Sequence, residues 1–153
     1  MNTITIKPVE ITGNCRANLT PDDEFYITGM ALENPCQSRL CYLALGHFPP
    51  IIAQLQQGSQ FYAHAACPDC LSRPDRENCV TFLLGHADKW ELCRAISDYH
   101  RLRRRYPEPE TARHLRAQAI RRQQQGQYAE AVQTMQAALA EMKSSLSPAH
   151  PRA

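Results

Sequence analysis

Apolar and polar positions follow two different rhythms along this chain. Residues 3–11 (TITIKPVEI) alternate with a period near two, the rhythm of a strand with one buried face. Pro8 inside that run predicts an edge strand or a bulge, because proline donates no ladder hydrogen bond. Thr12-Gly13-Asn14 and Thr20-Pro21-Asp22-Asp23-Glu24 read as turns, the second leading into a short strand at 25–28. Glu33-Asn34-Pro35 breaks the chain again. Over 38–56 the spacing becomes helical, with Leu40, Leu43, Ala44, Ile51, Ile52 and Leu55 near one stripe. Pro49-Pro50 must kink or split that helix, and Gly58 supplies its stop. Two further apolar runs, 61–66 and 79–84 (CVTFLL), predict strands joined by a polar loop with two prolines.

Beyond residue 87 only the helical rhythm remains. Asp88 is placed to cap a helix whose stripe is Trp90, Cys93, Ile96, Tyr99 and Leu102. Arg103, Arg104 and Arg105 close it, where cations suit the negative end of the helix dipole. Pro107 and Pro109 mark a hinge, and a second helix runs from Thr111 to about residue 125. After Gly126-Gln127, a final helix carries Tyr128, Ala131, Val132, Met135, Ala138, Leu139 and Met142 on one face. The expected architecture is therefore α+β: a head over 1–87, an all-helical extension over 88–146, and a disordered Ser/Pro-rich tail over 147–153.

Gly126, Tyr128, Ala131 and Ala138 have the spacing of a tetratricopeptide repeat, and the last helical pair resembles one such repeat over about 35 residues. The glycine serves the inter-helix turn and the alanines allow close helix approach. Lys143 stands where the repeat usually has proline. A single repeat cannot bury both faces, so the hairpin is expected to pack on the head, on a second copy or on a partner. A plain antiparallel helix pair without a peptide-binding role is the alternative.

Charge separates the same two regions. Residues 1–87 hold 5 Lys/Arg against 8 Asp/Glu, net −3, whereas 88–153 hold 12 against 7, net +5. Eight arginines (Arg101, Arg103, Arg104, Arg105, Arg113, Arg116, Arg121 and Arg122) fall within 22 residues. Guanidinium forks suit phosphate and carboxylate, so this run reads first as a solvated helix face with salt bridges, then as a surface for an acidic protein partner, and last as a nucleic-acid site. Glu108 and Glu110 interrupt the run, and only Tyr99 and Tyr106 are near enough to stack on bases, which disfavours nucleic acid. No apolar run approaches a membrane span and no secretory leader is visible, so a cytoplasmic protein is expected.

Seven cysteines in 153 residues is a high count for that compartment, where clustered thiols more often serve metal or redox chemistry than disulfides. Cys67-Pro68-Asp69-Cys70 is a C-x-x-C knuckle, a spacing that lets two thiolates grip one ion. Cys36 and Cys41 form a C-x4-C pair, and Cys79 or Cys15 extends the set. The candidate metal ligands are thus Cys36, Cys41, Cys67, Cys70 and Cys79. Structural zinc and the absence of any metal, with thiols that fill the core or act in redox chemistry, are equal expectations, and an iron–sulfur cluster follows them. Cys93 sits in a helix stripe and reads as core. His64, three residues before Cys67, is the one histidine to watch. His47, His86, His100 and His114 read as surface or satisfied core groups. No catalytic triad, phosphate-binding glycine loop, H-E-x-x-H or paired-carboxylate signature is present.

Cys41-Tyr42-Leu43-Ala44, Pro50-Ile51-Ile52, Gly58, Ala66-Cys67-Pro68-Asp69 and Val80-Thr81-Phe82 together resemble a family of small uncharacterised prokaryotic proteins. Its members share a Cys-x-x-Ala helix, an Ala-Cys-Pro-Asp turn and a closing strand. Cys15 and the acidic turn before Phe25 match further features, and the resemblance covers roughly residues 3–85. It implies a compact α+β fold and three recurrent cysteines at Cys15, Cys41 and Cys67, with Cys36, Cys70 and Cys79 as additions peculiar to this chain. It implies no activity. The functional expectation is a non-catalytic interaction or adaptor module with a cysteine-ligated site. A metal-handling redox accessory and an arginine-based nucleic-acid regulator are the alternatives.

Overall fold

The computed structural model describes residues 3–13, 15, 17–68 and 79–146. Those residues contain a five-stranded antiparallel sheet and five α-helices, an α+β fold with a C-terminal helical extension. The chain divides at Trp90/Glu91 into two compact units. Residues 69–78, with Cys70, and residues 147–153 lie outside the described residues, and so do the expectations of a polar loop and a disordered tail made for them.

In the head, strands β1 (Thr3–Thr12), β2 (Phe25–Thr28), β3 (Ala31–Glu33), β4 (Tyr62–Ala66) and β5 (Cys79–His86) lie in the order β3-β2-β1-β5-β4. Strand β1 is therefore central, although it contains Pro8. Two features reconcile proline with that place. The β1–β5 register slips between Pro8 and Glu10, a bulge at which Val9 is the extra residue. Strand β2 pairs only with residues from Thr3 to Ile6, so β1 has no β2 partner at Pro8. Alternation then assigns the faces. Ile4, Ile6, Phe25, Ile27, Phe82 and Leu84 belong to one buried cluster. Lys7, Glu24 and Tyr26 share polar contacts outside that cluster: Lys7 Nζ lies 2.8 Å from Glu24 and Tyr26 Oη donates to Glu24 at 2.6 Å.

The prolines at 49 and 50 split the expected long helix into α1 (Tyr42–His47) and α2 (Pro49–Gln56). They occupy the first positions of α2, where the missing amide hydrogens have no intrahelical acceptor to satisfy. Helix formation begins at Tyr42, later than the apolar stripe at Leu40 suggests. Residues 34–38 are instead held in a tight loop by hydrogen bonds between Asn34 and Ser38. Ala44, Phe48, Ile52 and Leu55 complete the core, with Phe48 edge-on to Phe82 at 5.1 Å between ring centroids. His86 is buried, and its Nε2 lies 2.8 Å from the Leu55 carbonyl in the last turn of α2. That contact ties the helix end to the sheet and gives one orphan carbonyl a partner.

The second unit holds α3 (Trp90–Arg105), α4 (Glu110–Gln124) and α5 (Tyr128–Ser144). A single 3-10 turn, Ala87–Lys89, precedes α3, so Asp88 lies inside that turn rather than at a cap. Helices α4 and α5 form an antiparallel hairpin. Thr111 meets Glu141 at one end, and Arg122 Nη1 donates to Thr134 at 2.7 Å near the other. Ala112, Ala119, Ala131 and Ala138 are all buried. The turn is a Schellman motif: the Gly126 amide donates to Gln123 and the Gln127 amide to Arg122. Gly126 has φ +76°, which a side chain rarely tolerates. At the start of α3, the Leu92 amide donates to Tyr128 Oη at 3.4 Å, which occupies one of the orphan donors there.

Candidate functional site

The head distributes its cysteines by strand order. Strands β1, β3 and β4 end, and β2 and β5 begin, at one rim of the sheet, so the residues after those ends share that rim. Cys67 follows β4 and belongs to the core, only 3 % exposed. Its amide donates to Val80 at 2.8 Å, extending the β4–β5 ladder. Cys79 opens β5 opposite Thr12, and Cys15 follows β1. Cys15, Cys41 and Cys79 pack partly buried against the same core. Cys41 is the residue before α1, but its sulfur makes no cap bond.

Cys36 is placed differently. It is exposed in the turn after β3, where the Gln37 amide donates to Asn34. Ser38 bonds to Asp23 just ahead of β2, which holds this turn on the β2–β3 side. A hydrogen bond to Glu24, then burial and the charges of Glu24 and Cys36, push the Tyr26 phenol up to about 12. Strands β3 and β4 are opposite edges of the sheet, four spacings or roughly 19 Å apart. Thiolates sharing one zinc lie within about 4 Å of each other. Among the described residues, no three His, Cys, Asp or Glu side chains gather closely enough to hold a metal ion. The structure thus brings Cys15, Cys41, Cys67 and Cys79 around one core and leaves Cys36 apart, while Cys70 lies outside the described residues. His64 is exposed and edge-on to Tyr62; strand alternation puts it on the face opposite Ala65 and Cys67. Cys93 is fully buried on α3.

The helical unit gathers its charges instead. The link between α3 and α4 is Tyr106-Pro107-Glu108-Pro109, with proline on both sides of the acid. Glu108 is 12 % exposed and binds three groups at once. Tyr99 Oη donates to Oε1 at 2.6 Å, Arg116 Nε donates to the same oxygen at 2.9 Å, and Arg103 Nε lies 3.3 Å from Oε2. The Arg116 guanidinium also stands over the Tyr99 ring at 5.8 Å. Burial alone would raise the Glu108 carboxyl. The Tyr99 and Arg116 hydrogen bonds and the two guanidinium charges outweigh it and hold the carboxyl below the usual range. Burial first, and then the bond to Glu108, push the Tyr99 phenol up to about 12.

His100 faces the same elbow. Burial first, then the charges of Arg116, Arg103 and Arg104, lower its pKa; Glu108 alone opposes them. Other arginines are tied locally: Arg101 to Asp98, Arg113 to Glu110 at 3.7 Å, and Arg122 to Thr134. The basic run is thus largely an internal network, and its organising residue is Glu108, which the sequence pattern presents only as an interruption. A carboxylate between two prolines, nine residues after a stripe tyrosine, is the signal that marks it. No helix of the described residues is long and apolar enough to cross a membrane. No family model matches the chain, and neither a curated protein nor a solved structure is detectably similar to it.

Proposed function

We propose that this chain is a non-catalytic protein-interaction module whose helical unit docks on an acidic surface of a larger protein. The observation that carries the reading is the burial of α4. In 15 residues this helix fully buries only Ala112 and Ala119, and it leaves Ile120, Arg113 and Arg121 exposed. A single repeat-like hairpin has one satisfied seam and an open second side. The cations on that open side favour an acidic partner over a second basic hairpin. A photo-crosslinking residue at position 120 tests this, with one at exposed Leu32 on β3 as the comparison. The reading predicts one discrete adduct from position 120, competed away by the unlabelled chain. Equal adducts from both positions, or a homodimer adduct alone, would contradict it.

A thiolate-bound metal in the head, zinc before an iron–sulfur cluster, is the second reading. It rests on the rim that Cys67 and Cys79 share and would need Cys70, outside the described residues, to complete a ligand set. Its test is metal content and the absorption spectrum of the purified chain, compared with Cys67→Ser. Nucleic-acid binding draws least support, because Arg101, Arg103, Arg113, Arg116 and Arg122 already have protein partners.

A further inference from the structure

We infer that the α3–α4 elbow recognises a phosphorylated side chain on a partner protein, with His100, Arg103, Arg104 and Arg116 around one phosphomonoester. This deepens the interaction reading, on which it rests, by naming the chemistry of the partner. Helical spacing is the first ground: His100, Arg103 and Arg104 are three and four residues apart and share one face of α3. Arg116 reaches the same place from α4, because it and Arg103 grip the two oxygens of one carboxylate.

Charge is the second ground. Two guanidinium groups, Arg103 and Arg116, share the single carboxylate Glu108, and Arg104 adds a third guanidinium on the same face of α3, a surplus of two positive charges. Arg104 is exposed and has no ion pair among the described residues. Arg103 meets Glu108 through Nε and stays 45 % exposed, so its terminal fork is open to a second acceptor. A phosphomonoester carries nearly two negative charges at neutral pH and suits arginine forks.

Two features favour a protein over a nucleic-acid strand. Glu110, exposed at the start of α4 two residues beyond Glu108, would repel a running phosphodiester backbone, whereas one isolated dianion avoids it. Beside Glu108 lies a cleft of about 250 Å³ lined by Tyr106, Pro107, Pro109 and Leu146. That is below the range of small-molecule pockets and fits one apolar side chain next to the phosphorylated residue.

Binding should also shift the titration of His100 upward. The free elbow disfavours imidazolium at His100, through burial and through Arg116, Arg103 and Arg104, against Glu108. A dianion in the cluster reverses that balance, so His100 becomes easier to protonate when the site is filled.

The experiment uses the full chain and three probes: a phosphoserine peptide pool with randomised flanks, the same pool unphosphorylated, and a single-stranded oligonucleotide pool of equal length. Affinity is read by fluorescence anisotropy, and the His100 ring is followed by NMR. The phosphorylated pool should bind at least tenfold more tightly than its counterpart and raise the His100 pKa. Arg104→Ala should weaken it roughly tenfold, as expected for one charge-assisted contact, while Arg94→Ala, at an exposed position on the other side of α3, leaves it unchanged. Circular dichroism establishes that both variants are folded. Equal binding of the two peptide pools, tighter binding of the oligonucleotides, or indifference to Arg104→Ala would overturn the inference. If the position-120 adduct survives Arg104→Ala while phosphate preference is absent, the inference fails and the interaction reading stands; loss of the adduct in the unmodified chain removes that reading instead.

Discussion

In the head, the chemically distinctive residues are cysteines on loops and strand ends, and each goes where strand order sends it. Cys67 and Cys79 meet a shared core, whereas Cys36 stays at the opposite edge of the sheet. In the helical unit the distinctive residues are arginines, and one proline-framed elbow draws Arg103 and Arg116 onto Glu108, with Arg104 beside Arg103 on α3. Cysteines on different strand ends need share no volume when the strands between them set them at opposite edges of a sheet. His100, Arg103 and Arg104 share a face because residues three and four apart are neighbours on a helix, and the elbow and α4 then bring Glu108 and Arg116 to them. The head is thus held mainly by apolar packing and the elbow by a nearly buried polar network, and the two respond to different perturbations.

The largest effect is expected in the head core. Phe82→Ala removes a fully buried ring from the centre of the sheet and its edge contact with Phe48, which should cost about 3–5 kcal/mol in urea unfolding. Glu108→Ala should cost the helical unit about 2–3 kcal/mol, because it strands Tyr99 and Arg116 in a nearly buried site. Glu108→Gln keeps an acceptor and should cost roughly half as much. Amide exchange in the sheet should be unchanged by either variant. Slower or faster exchange there would break the distinction between the two regions.

Acid should act on the elbow in a defined window. His100 has a folded pKa below its ordinary 6.5, so the unfolded chain binds the extra proton and stability falls as pH drops from about 6.5 through the folded value. Glu108 also has a lowered pKa. Its contribution is present above the ordinary value of 4.5 and is lost as pH falls through its folded value. Helical stability measured by circular dichroism should therefore decline in two stages on acidification, and His100→Gln should remove the first. A single stage unaffected by that substitution would mean that His100 does not face the arginines.

Smaller effects sharpen the comparison further. Gly126→Ala should cost about 1–2 kcal/mol, wholly from its left-handed backbone, since nothing lies within 4 Å of the added methyl. Cys67→Ala should be milder than Cys67→Ser if the thiol packs in the core, because serine buries a hydroxyl there. Loss of stoichiometric metal in both variants would establish the thiolate reading instead. Cys36→Ser, at an exposed turn, should change stability by less than about 0.5 kcal/mol.

The elements were legible where one rhythm persisted. Helix α5 begins at Tyr128 as its stripe predicts, and Pro49-Pro50 divides α1 from α2 as proline chemistry requires. Strand β3 was not legible, because all three of its residues are exposed and leave no alternation to read. The extension of β5 to His86 was hidden because His86 is buried through a bond to a helix carbonyl, not through apolarity. The elbow was half legible: spacing places His100, Arg103 and Arg104 on one face, but Arg116 and Glu108 join them only through the angle between two helices. The separation of Cys36 from Cys67 depends on the strand order β3-β2-β1-β5-β4, which no spacing encodes.

The convergence of charge on one elbow is tested most directly by the titration of the His100 ring in the full chain and in Glu108→Gln. The account predicts a native value below 6.5 that falls further once the single opposing carboxylate is neutralised. A native value at or above 6.5, indifferent to position 108, would contradict it.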